Sequence, residues 1–80
     1  MSQFTKAVAA IQQRANGQGA GDMALVDAAG YVTTVLGWHG ITDQLTDAIG
    51  LATEHEIAVL RQRMPTNGGY INEMLRRVHA

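Results

Sequence analysis

Apolar residues recur in this chain at the spacing of one helix face, and glycines and capping residues cut that pattern into short lengths. Phe4, Ala7, Val8, Ile11 and Ala15 follow i, i+3, i+4, i+7 and i+11. Ser2 stands where an N-cap belongs, and Asn16-Gly17 supply a stop, so the spacing predicts a helix over 3–15. Ile71, Met74, Leu75 and Val78 predict a last helix by the same rule. Between them, Thr42 is a cap for a short helix with Ile41, Leu45, Ala48 and Ile49 on its apolar side, and Gly50 ends it. Thr53 followed by Glu56 is a capping box that opens a helix over 54–64, with Ile57, Leu60 and Met64 inward. Pro65 stops that helix, and Thr66-Asn67-Gly68-Gly69 reads as a turn.

Residues 23–36 fit two readings. As a helix, Leu25, Ala28, Ala29, Val32 and Leu36 share a face, with Asp22 as N-cap. As a hairpin, Asp27-Ala28-Ala29-Gly30 is a type I turn leading into the β-favouring run Tyr31–Val35. Four β-branched residues in a row lower helix propensity. An isolated two-stranded hairpin is itself marginal, and both flanking segments are helical, so we read a helix. Gly37 and Gly40 then bracket Trp38-His39 as a turn. The expected fold is all-α, a compact bundle of four to five short helices. An α+β fold with a 23–36 hairpin is the alternative. The chain of 80 residues allows one domain, 1–80, with a Gly-rich linker at 17–21.

A small core with no cysteine cannot be stapled by disulfides or thiolate metal sites, which favours a homodimer over a monomer. No basic start followed by an apolar run marks a signal peptide, and no apolar stretch is long enough to span a membrane. The expectation is a cytoplasmic protein, in the host cytoplasm if phage-encoded.

Charge is segregated. The cations are Lys6, Arg14, Arg61, Arg63, Arg76 and Arg77, so residues 15–60 hold acids alone, and the net charge is −1. Such asymmetry bears on partner choice. Asp43 and Asp47 are one helical turn apart near a helix N-terminus, where the dipole favours a solvated acidic face over an acid–base pair. His39, His55 and His79 lack the spacing of a metal site, and Glu54-His55-Glu56 is not HExxH. Gly17, Gly19 and Gly21 do not make a phosphate-binding GxGxxG, and a helix precedes them where a strand is needed. Ser2 is the only serine, at a terminus expected to fray, which excludes a Ser-His-Asp triad. No catalytic, cofactor or metal site is expected. Trp38, the only tryptophan, counts first as a core residue and second as an interface anchor.

Asp47-Ala48-Ile49-Gly50-Leu51 resembles the turn region of DNA-binding helix–turn–helix proteins, although Ile57 falls one residue late for that register. The resemblance implies a small transcriptional regulator. A second helix–turn–helix pair, 54–64 with 70–79, places Asn67, Asn72, Arg76 and Arg77 where they could touch phosphate or base edges. Against it stand the net negative charge and the acids Asp43, Asp47, Glu54 and Glu56, which would face phosphates badly. The leading expectation is a non-catalytic interaction protein that modulates a larger macromolecule. Asp43, Asp47 and Glu54, with Trp38 and His39, would meet a basic site on a protein partner. In size and lack of signature the chain is similar, as a class, to small phage-encoded inhibitors of host machinery such as anti-CRISPR proteins.

Overall fold

Five helices account for nearly all of the described chain in a computed structural model, which describes residues 2–17, 23–63 and 68–79. In order they are α1 (Gln3–Asn16), α2 (Leu25–His39), α3 (Asp43–Gly50), α4 (Glu54–Arg63) and α5 (Gly68–His79). No strand occurs among the described residues, so the all-α reading holds and the hairpin alternative falls. The Gly-rich stretch 18–22 and residues 64–67, including Met64, Pro65, Thr66 and Asn67, lie outside the described residues.

The caps explain most of the boundaries. The Thr5 N–H donates to Ser2 Oγ at 3.2 Å, and Gly17 closes α1 at φ 68, a left-handed conformation that glycine adopts without a Cβ penalty. The Leu45 N–H donates to Thr42 Oγ1 at the start of α3. The capping box at α4 is reciprocal: the Glu56 N–H donates to Thr53 Oγ1 at 3.2 Å, and the Thr53 N–H donates to Glu56 Oε1 at 2.9 Å.

α2 resolves the ambiguous segment. The hydroxyls of Thr33 and Thr34 both donate to the Gly30 carbonyl at 2.9 Å, so the polar β-branched residues satisfy themselves within the helix. Ala28, Ala29, Val32 and Leu36 are buried on one face. Burial of that stripe outweighs the propensity cost of the branched run.

Four local expectations are corrected. The N-cap of α2 is Ala24, not Asp22, and it makes no side-chain cap bond. Gly37, Trp38 and His39 are not a turn but the last turn of α2, because nothing forces Gly37 out of helical geometry. The chain leaves the helix only at Gly40, with φ 73. Gly50 is the last residue of α3 rather than its stop, and Leu51 is the C-cap. Gly68 and Gly69 open α5 instead of forming a turn.

The core draws on every helix: Phe4 and Val8 from α1, Val32 and Leu36 from α2, Leu45 and Ile49 from α3, Leu60 from α4, and Ile71 and Met74 from α5. α3 packs chiefly on α5 and α1, while α4 packs on α2 and α5. The radius of gyration is 11.5 Å, against about 11.6 Å for a compact domain of this length. Gly50 lets α3 approach α5 closely: a Cβ there would sit 3.0 Å from Val78 Cγ1.

A polar link joins the start of α1 to α4. Glu56 is buried, and its Oε2 accepts from the Ser2 hydroxyl at 2.5 Å. The carboxylate that caps α4 therefore also holds the cap residue of α1. Ser2 is a fixed residue in this arrangement and not a frayed end.

Candidate functional site

The most exposed large apolar side chain among the described residues is Trp38, 81% accessible in the last turn of α2. The expectation that it belongs to the core is corrected. The inward face of α2 ends with Leu36, and Trp38 lies two residues on, rotated about 200° around the helix towards solvent. Beside it is a groove of ≈ 530 Å³ between the C-terminal halves of α1 and α2 and the start of α3. Ile11 and Ala15 line it from α1, Tyr31, Val35 and Trp38 from α2, and Thr42 and Gln44 from the α2–α3 junction. Its volume falls within the range of small binding sites.

The charged side chains lining this groove are Arg14 and, where protonated, His39; no carboxylate lines it among the described residues. Arg14 is exposed and makes no ion pair among the described residues. The groove is thus mainly apolar, with Asn16, Thr34, Thr42 and Gln44 as its neutral polar lining and Arg14 as a permanent cation.

Sequence reasoning named Trp38 and His39 but missed Arg14, Tyr31, Val35 and Ile11. The signal was present: Tyr31, Val35 and Trp38 are spaced i, i+4 and i+7 and share one stripe of α2. That stripe lies beside the buried one rather than within it.

The other expected contact residues lie apart from this groove. Asp43 and Glu54 are exposed first-turn residues of α3 and α4. Asp47 lines a second depression, also ≈ 530 Å³, formed with Thr46, Gly50, Leu51, Arg77 and Val78. Asp47 and Arg77 therefore line one hollow, so charge reversal at these two positions perturbs one surface and not two.

Three of the four residues expected to reach nucleic acid have polar partners, all at exposed positions. Arg76 and Arg77 both pair with Glu73, the latter at 3.3 Å. Asn72 Oδ1 accepts from Arg61 Nη2 at 2.8 Å. Asn67 lies outside the described residues. α3 and α4, whose connection resembles a helix–turn–helix turn, share little direct packing.

No group of three or more metal-ligating side chains converges among the described residues. None of their helices is long and apolar enough to cross a membrane. No family model matches the chain, and neither does any curated protein or solved structure compared with it.

Proposed function

We propose that this protein is a non-catalytic binding module that attaches to a larger protein and modulates it, with the groove beside Trp38 as the principal contact. The observation that carries the reading is the 81% exposure of Trp38 next to a preformed apolar groove. Leaving a tryptophan in water forgoes one of the largest burial gains a side chain offers, and tryptophan is the residue most enriched among interface anchors. Asp43 and Glu54 add a second, polar contact, suited to a basic site on the same partner. A small body with one dominant anchor suits an inhibitor that works by occupying its target's surface, as a phage or mobile-element inhibitor of host machinery would. The helix–turn–helix regulator has less support, since the chain carries a net charge of −1 and α3 and α4 share little direct packing.

The test compares wild type with Trp38→Ala as immobilised baits in nuclease-treated lysate of the source cell. A discrete protein retained by wild type and lost from the variant is the expected result. Equal retention on both baits would remove Trp38 from the contact and sink this assignment.

A further inference from the structure

We infer that the α1–α2 groove takes an acidic, amphipathic segment of its protein partner: an apolar side chain seated between Ile11, Tyr31 and Val35, with a neighbouring carboxylate on Arg14. The inference rests on the groove being the contact surface and adds the chemistry of what fills it.

Three observations favour this occupant. The first is the lining, apolar along the walls, which calls for an apolar anchor. The second is charge. Arg14 stands at the edge without an ion pair among the described residues, in a lining free of carboxylates. A guanidinium offers a planar fork of donors that matches a carboxylate, and the edge of an apolar groove is drier than open surface, which strengthens such a pair. The His39 imidazole lines the same groove and can donate a further hydrogen bond in either protonation state. The third is position: Arg76 and Arg77 share Glu73 within α5, and Lys6, Arg61 and Arg63, which like Arg14 make no ion pair among the described residues, do not line the groove.

Two other occupants fit less well. A second copy docked groove to groove about a two-fold axis would set two linings that carry a cation and, among the described residues, no carboxylate against each other. A nucleic acid strand would find aromatic faces in Trp38 and Tyr31, but only one permanent cation in the groove and a net charge of −1 on the chain.

The experiment pans a random peptide display library against the full chain and ranks the selected peptides on wild type, Trp38→Ala and Arg14→Glu. Trp38 is the only tryptophan, so for peptides lacking tryptophan its emission reports docking directly, as a blue shift on burial. The expected peptides place Asp or Glu beside Leu, Phe or Met. Their binding falls roughly tenfold or more on each variant, the loss expected when one side of a desolvated contact is removed. Panning on Arg14→Glu should instead enrich Lys and Arg. Peptides that need Trp38 but are indifferent to Arg14→Glu would overturn the acidic occupant and leave the groove as the contact. Peptides indifferent to both substitutions, or no enrichment at all, would overturn both readings. Saturable quenching of Trp38 by oligothymidylate, or concentration-dependent dimerisation abolished by Trp38→Ala, would assign the groove to nucleic acid or to a second copy, against the proposal.

Discussion

Two depressions of the same volume, ≈ 530 Å³, lie on this molecule and differ in how far they satisfy themselves. At the α3–α5 seam, Gly50 admits Val78 at near-contact distance, and Asp47 and Arg77 line the same hollow with opposite charges. At the α1–α2 groove, the walls are larger apolar side chains, Trp38 projects into solvent, and no carboxylate among the described residues lines the groove beside Arg14. The seam balances its own charge and closes on a small residue. The groove leaves both an anchor and a charge uncompensated. Equal volume therefore says little about function; what separates the two is the remaining demand for a partner.

That comparison can be broken or sharpened by substitution, beginning with the largest effect. Ile71 is fully buried in α5, the helix that forms one side of the seam. Ile71→Ala should cost about 2–5 kcal/mol in urea unfolding through lost burial and the cavity left behind. A cost below 1 kcal/mol would mean the seam is not the tightly packed region described.

Glu56 anchors α1, one wall of the groove, at the opposite end of that helix. Glu56→Ala removes the box at α4 and its bond from the Ser2 hydroxyl, for about 1–3 kcal/mol by the same measurement. Glu56→Gln keeps an acceptor for the Thr53 N–H and a donor for Ser2, and should lose less. Equal losses would show that charge, not hydrogen bonding, does the holding.

Gly50→Ala gains helix propensity but crowds Val78. The substitution should be more favourable in a Val78→Ala background than in wild type by about 0.5–1 kcal/mol, read from a double-mutant cycle. No coupling would mean that α5 yields freely and the close approach is incidental. The smallest effect belongs to the groove. Trp38→Ala should change stability by no more than about 0.5 kcal/mol, since the side chain is mostly in water, while abolishing partner capture. A large loss of stability would place Trp38 in the core after all and dissolve the contrast between the two regions.

How much of this was legible in the sequence depends on how far each interaction reaches. Ser2, Gly17, Thr42 and the Thr53–Glu56 box act over a few residues, and reading along the chain finds them. The all-α class and the single-face patterns of α1 and α5 follow from the same short-range regularity. Gly37 and the Gly68-Gly69 pair misled because glycine permits a turn without requiring one, and packing kept them helical. The second bond of Glu56, to a residue 54 positions away, leaves no local trace. Nor does the apposition of Asp47 with Arg77, or that of Arg14 with Tyr31 and Trp38, because each depends on which helices become neighbours. The candidate site was thus half visible: the stripe on α2 could be read, but the wall opposite could not.

The two oxygens of Glu56 also belong to different moments in the history of the chain. The Oε1 bond spans three residues and can form as soon as α4 nucleates. The Oε2 bond waits until α1 has come home across 54 residues, after the entropy of that closure has been met. An interaction made after the rate-limiting step slows unfolding without hastening folding. In chevron measurements, an Oε2 bond made after that step would show itself on its loss as faster unfolding with little change in the folding rate. The carboxylate that marks where a helix begins would also set how long the finished molecule persists.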